Sequence, residues 1–262
     1  GEDASSSASY VLQDTVGNAG IGDSSSPSYD LGAGYRAGTG GQVLDFSFFS
    51  QDNGVASSAT GFAGLTIDCD PTGFSIGDMV ALLQDKGDGQ VTGMGRIESI
   101  GIDSITLDVL KDGGTVPVID GTNDFVYLLD GDASALGTLS VSTVRTSVIG
   151  FDVSTNAPNG YAVQVIADGD FRDGAETVDA VVDGTVMTGS EEYGARSSDL
   201  DIASSTFDSE DAALMTSFQT VADFGAAVTS DRNFLVTKAA ISSSTVAGSY
   251  ALPAVKRVPN MV

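Results

Sequence analysis

SVIGFDVST (147–155) alternates Ile149, Phe151 and Val153 with smaller or polar residues. A period of two is the pattern of a strand whose successive side chains point to opposite faces of a sheet. VLDFSFFS (43–50) repeats it, with Leu44, Phe46 and Phe48 on one face and Asp45 and Ser47 on the other. GYAVQVIAD (160–168), NFLVTKAAIS (233–242) and SYALPAVKRV (249–258) add further segments of the same kind. Between them turn chemistry is dense. Asp-Gly pairs begin at Asp88, Asp112, Asp120, Asp130, Asp168, Asp173 and Asp183, and Asn-Gly pairs at Asn53 and Asn159. Such pairs supply the positive φ that tight hairpins need. Many half-buried strands with frequent turns predict an all-β chain, an antiparallel β-sandwich of the jelly-roll or Ig-like kind.

The middle of the chain differs. Met79–Leu83, Gly95–Ile100, Ser104–Leu110 and Phe125–Leu129 read as compact strands joined by tight turns, with DKGDGQ (85–90) as the first hairpin turn. This predicts a small SH3-like β-barrel inserted over 58–131 into a sandwich built from 23–57 and 132–262. Removing the insert brings VLDFSFFSQDN next to GTLSVSTVRTSVIGFDVST as neighbouring strands. One segment, 205–224, carries a helical stripe of Leu214, Phe218 and Val221 behind a cap at Asp208 or Ser209, and predicts a helix of one or two turns.

Composition narrows the chemistry. The chain of 262 residues has a net charge of −25, which disfavours nucleic acid as a partner because phosphates need Lys and Arg. It has no His and a single Cys, Cys69, so neither a Ser-His-Asp triad nor a His- or Cys-rich zinc site can be built and no intrachain disulfide forms. Trp is absent and aromatics make up 7%, which leaves few platforms for a glycosidase cleft. The expectation is therefore not an enzyme. GAGYRAGTGG (32–41) lacks the GK[ST] of a phosphate-binding loop. No run of about 18 apolar residues is present, so no transmembrane segment is expected. No charged-then-apolar leader occurs, and an exported protein would be represented here by its mature form.

Two clusters of charge stand out. In ADGDFRDGAET (167–177), Asp168, Asp170, Asp173 and Glu176 offer oxygen ligands in a short loop, a donor set suited to Ca2+. EF-hand spacing fails, because Arg172 occupies the third ligand position; two consecutive Asp-Gly turns at a hairpin end account for the same residues. No cofactor is otherwise required. Lys256 and Arg257 form an adjacent basic pair in an acidic chain, either a solvated strand end or a contact with an acidic face of another subunit.

Several stretches together resemble the secreted cell-surface proteins of bacteria, of the candidate-phyla type. They are SSSASYVLQDTVGNAGIGDSSSPSYDLGAGY (5–35), with its doubled S-Y-x-L unit, and LGTLSVSTVRTSVIGFDVSTNAPNGYAVQVIADG (136–169), with STNA-x-x-GY. GSEEYGARSS (189–198) and ISSSTVAGSYALP (241–253) are similar to later strands of those proteins. VKRVPNMV (255–262) departs from their Thr/Val-rich ending, and the insert lies outside the likeness. The resemblance implies a β-sandwich with an exported, cell-surface role, and it supplies no catalytic residues.

With few reactive side chains and a Ser-rich N-terminal strand, the expected function is structural: a subunit of an extracellular self-assembling polymer, either a pilus-like filament or a surface layer. The strand within 1–22 would leave its own subunit and add to a neighbour's sheet, with Tyr10, Val11, Leu12 and Val16 as its assembly residues. The partner is then another copy of the chain, with a possible contact to the cell surface. The alternative is a monomeric, calcium-dependent adhesin that uses the barrel for recognition.

Overall fold

The computed structural model describes residues 3–6, 11–14, 22–26, 29–33, 42–251 and 256–261, with side chains over 42–251. The chain divides into two units, Gly1–Val43 and Leu44–Val262. In the first, β1 (Asp3–Ser6) pairs antiparallel with β2 (Val11–Asp14), and β3 (Gly22–Ser26) with β4 (Tyr29–Ala33), as separate two-stranded sheets.

The second unit begins with β5 (Leu44–Ser50) and passes at once into a closed antiparallel barrel. Its strands are β6 (Ala56–Ala63), β7 (Thr66–Cys69), β8 (Met79–Gln84), β9 (Val91–Ile100), β10 (Ser104–Leu107) and β11 (Phe125–Leu128). They close in the order β10-β7-β6-β11-β8-β9. Ile67, Val80, Leu82, Ile97, Ile105, Leu107 and Val126 fill the interior. The loop at 85–90 joins β8 to β9, with Gln84 opposite Val91. The chain enters and leaves the barrel side by side, since the Gly131 N–H donates to the Ser50 carbonyl at 2.7 Å and the Asp52 N–H to the Leu128 carbonyl at 2.8 Å.

After the barrel come β12 (Arg145–Thr155), β13 (Tyr161–Ile166), β14 (Phe171–Asp173), β15 (Glu176–Val178), β16 (Glu192–Ser197), β17 (Gln219–Phe224), β18 (Val228–Ala240) and β19 (Lys256–Met261). One sheet of the sandwich runs β16-β18-β12-β5 and the other β17-β13-β19. β5 and β12 are therefore direct antiparallel neighbours across the insertion, with Phe48 opposite Phe151. Ile149, Phe151 and Val153 point into the core between the sheets, where they meet Tyr161, Val163, Val165, Val221 and Leu235. Burying each such side chain contributes about 1.5–3 kcal/mol. The fold is all-β, an antiparallel sandwich carrying a small barrel.

β12 is buried on both faces. Val148, on the side away from the sandwich core, joins Phe234 and Val236 of β18 beneath Met79, Ala81, Leu83, Met94 and Tyr127 of the barrel. The barrel thus sits on the outer face of the four-stranded sheet. Gly150 permits that approach, because a Cβ there would lie 2.4 Å from the Met94 sulfur.

The expected helix within 205–224 is corrected. No helix forms among the described residues, and only a single turn closes, with the Glu210 N–H donating to the Thr206 carbonyl at 3.0 Å. The backbone of 207–212 serves the edge of β16 instead, and Gln219–Phe224 form β17 against β13. The Ser197 N–H donates to the Phe207 carbonyl at 2.7 Å, and Ala195 and Ala212 exchange bonds of 2.9 and 2.8 Å. Phe207 becomes fully buried as a plug in the sandwich core, and a helix would forfeit both gains.

Candidate functional site

Three of the Asp-Gly turns converge on one place. The turn at Asp88-Gly89 leads into β9, Asp112-Gly113 lies in the loop between β10 and β11, and Asp183-Gly184 lies between β15 and β16. Together they rim a cleft of about 390 Å3 beside the barrel, floored by β16 and β18. Glycine is needed on this rim. A Cβ on Gly87 would stand 3.1 Å from the Val144 carbonyl, and Gly114, at φ +89°, would press one to 2.9 Å from Leu200. The hairpin is also tied to the sheet, because the Thr146 hydroxyl donates to Gln90 Oε1 at 2.6 Å while Gln90 Nε2 donates to the Thr92 hydroxyl at 2.8 Å.

Two cations line the cleft. Lys238 of β18 is committed, its Nζ 2.8 Å from Oδ1 of the buried Asp211. Asp211 also accepts the Val186 N–H at 2.9 Å, which anchors the third rim loop. Arg196 of β16 is exposed, and among the described residues no ion pair or hydrogen bond engages its guanidinium. Asp88, Thr115 and Thr185, all exposed polar residues, line the same cleft. In a chain of net charge −25, an uncommitted guanidinium in a concave polar site is chemically distinctive.

The loop 167–177 takes a different form from a ligand cage. Asp173 and Glu176 face each other where β14 turns into β15, with Gly174 at φ +61° in the turn. Asp173 Oδ2 accepts the Ser249 N–H at 2.9 Å. Among the described residues no three Asp, Glu or Cys side chains gather in a metal-holding group, so Asp168, Asp170, Asp173 and Glu176 are not brought together as ligands. These acids instead neighbour two tyrosines. The Tyr250 phenol is raised by partial burial and by Glu176, Glu191 and Asp173, and the Tyr193 phenol by burial and Asp170.

Val11 and Leu12 lie in β2 opposite Ser6 and Ser5; Tyr10 and Val16 lie outside the described residues. Lys256 and Arg257 begin β19, opposite Ile166 and Val165, and their side chains also lie outside the described residues. Cys69 is buried in the barrel, its thiol pushed up to about 11 by burial and then by Asp70 and Asp68, which makes it inert at neutral pH. None of the described residues forms a helix long and apolar enough to cross a membrane.

Compared with protein-family models, with curated proteins and with solved structures, the chain finds no match.

Sequence reasoning missed the cleft. Asp88-Gly89, Asp112-Gly113 and Asp183-Gly184 were visible as turns, but their convergence depends on the barrel docking on β12 and β18. Arg196 sits in an unremarkable strand, and no local pattern marks it.

Proposed function

We propose that the protein is a structural subunit of an extracellular, self-assembling polymer, a filament or surface layer, in which the N-terminal segment adds a strand to a neighbouring copy. The single observation that carries this reading is the contrast between the two units. β1 to β4 form two-stranded sheets from Ser- and Gly-rich sequence, and a lone two-stranded hairpin is marginal in water. The 44–262 unit, by comparison, has its own cores in both sandwich and barrel.

Edge management agrees with it. On one side of the sandwich, β16 is covered by backbone from 207–212, and Ser197 and Ser205 donate their hydroxyls to the Val221 and Thr220 carbonyls of β17 at 2.5 and 2.6 Å. Those edges are occupied, and among the described strands β5 and β19 stand at the other margin. The resemblance to secreted surface proteins supports an extracellular setting. Electron microscopy and light scattering of the full chain against residues 23–262 test the reading. Polymers from the full chain and monomers from the shortened one are expected; the same polymer from both would overturn it.

A further inference from the structure

We propose that the cleft between barrel and sandwich binds an acidic saccharide, a sugar residue bearing a carboxylate. The inference is independent of polymer assembly, because every residue it uses lies in the 44–262 unit.

The donor set carries the argument. Arg196 offers a planar guanidinium without an internal partner among the described residues, and a carboxylate is the group that matches its paired N–H donors. The other positive charge, Lys238, is neutralised by Asp211 at 2.8 Å, so Arg196 is the one cation of the lining left to a ligand, and the exposed carboxylate of Asp88 on the same lining limits the site to a single anionic group. A polyphosphate would find too little positive charge. The other exposed polar residues of the lining suit hydroxyl recognition. The Thr115 and Thr185 side chains donate and accept, and the Asp88 carboxylate accepts only. A simple carboxylic acid would leave these groups to water, whereas a sugar ring presents hydroxyls to them.

Size and position agree. A volume of about 390 Å3 lies within the range of small-molecule sites, and junctions between packed modules are where such sites concentrate. The rim is built to keep its shape, with Gln90 bonded to both Thr92 and Thr146 and Asp211 holding Val186. The negative charge elsewhere on the molecule does not forbid an anion here, since salt at physiological strength confines such fields to about 8 Å.

The test is titration of the full chain with glucuronate at physiological salt, followed by amide chemical shifts under magic-angle spinning, which reads monomer and polymer alike, with glucose and acetate as controls. Saturable shifts confined to residues 87–92, 113–115 and 184–197 are expected with glucuronate, together with weaker binding of either control. R196Q should bind glucuronate at least about tenfold more weakly, as loss of a charge-assisted pair implies. T185V should weaken glucuronate but leave acetate unchanged. Arg196 and Thr185 are exposed, and the amide spectrum of each variant reports directly that it is folded. Absence of saturable glucuronate binding, equal binding of acetate or glucose, or an R196Q affinity equal to that of the parent would each overturn the proposal.

Discussion

Arg232 of β18 grips Asp108 of the barrel through two parallel hydrogen bonds, Nη1 to Oδ1 and Nη2 to Oδ2, each 2.7 Å long. Its Nε donates to Asp152 of β12 at 3.1 Å, and Asp152 is also 3.5 Å from Arg96 of the barrel. Two arginines and two aspartates from barrel and sheet therefore interlock beside the apolar patch of Met94, Val148 and Phe234. The Arg232 side chain is 9% exposed and that of Asp108 33%, so the pair is partly shielded from water.

Replacing Arg232 by Gln removes the only cation bound to Asp108 among the described ion pairs and leaves the nearly buried Asp152 with the Ser230 hydroxyl at 2.9 Å and the longer contact to Arg96. Breaking such a pair from one side costs about 3–5 kcal/mol when fully buried; with Asp108 a third exposed, about 2 kcal/mol is expected. Urea unfolding measures this, and a loss below about 0.5 kcal/mol would mean that the junction relies on apolar contact alone.

Acid should weaken the same junction. Burial acts to raise the Asp108 carboxyl, but hydrogen bonds from Arg232, Arg96 and Val109 outweigh it and hold the group below its ordinary value. A depressed carboxylate stabilises the fold above the unfolded value, near pH 4, and that contribution is lost as pH falls through the lower folded value. Asp108→Asn should therefore flatten the acid limb of the stability curve below pH ~4. Asp223 has the opposite sign, since burial and then Asp199 and Asp201 raise it, and its ionisation costs stability as pH rises. Asp223→Asn should raise Tm at neutral pH relative to the parent.

Two Gly→Ala substitutions separate backbone strain from crowding. Gly160 has φ +75° and no room, since a Cβ would fall 1.6 Å from the Phe224 carbonyl. Gly174, at φ +61°, has nothing within 4 Å. Gly174→Ala should cost only the strain of a left-handed residue, about 1 kcal/mol. Gly160→Ala should cost several times that or prevent folding, because the turn into β13 must move. Equal thermal shifts in the two variants would contradict this geometry.

Tyr161 is 1% exposed, and its hydroxyl donates to Asp231 Oδ2 at 2.6 Å. Burial, followed by that carboxylate, pushes the phenol far above its ordinary value, so it stays a donor at every working pH. Tyr161→Phe leaves Asp231 without this bond and should destabilise by about 1.5–3 kcal/mol, as bonds to charged groups do. Denaturant midpoints measure it.

Much of the fold was legible because alternation survives in single strands. SVIGFDVST announced its sandwich face through Ile149, Phe151 and Val153, and DKGDGQ announced the β8–β9 hairpin. What local pattern could not convey was burial of the opposite face, since Val148 and Gly150 acquire their neighbours from a module inserted elsewhere in the chain. β6, with the sequence ASSATGFA, was illegible for another reason: small residues pair in a closed barrel without a marked apolar rhythm. The helical stripe of Leu214, Phe218 and Val221 misled because it is intrinsic to spacing, whereas strand pairing dictates what that backbone does: 207–212 line the edge of β16, and Val221 lies in β17 against β13. The cleft around Arg196 is wholly tertiary in origin.

The proposed addition of the N-terminal strand to a neighbouring copy is open to direct test. A photo-reactive residue at position 12, in a mixture of isotopically heavy and light full-length chains, tests it most directly by mass spectrometry of the cross-linked peptides. Strand exchange between subunits predicts heavy–light cross-links from residue 12 into the sandwich. Cross-links found only within single chains, heavy to heavy and light to light, would contradict it.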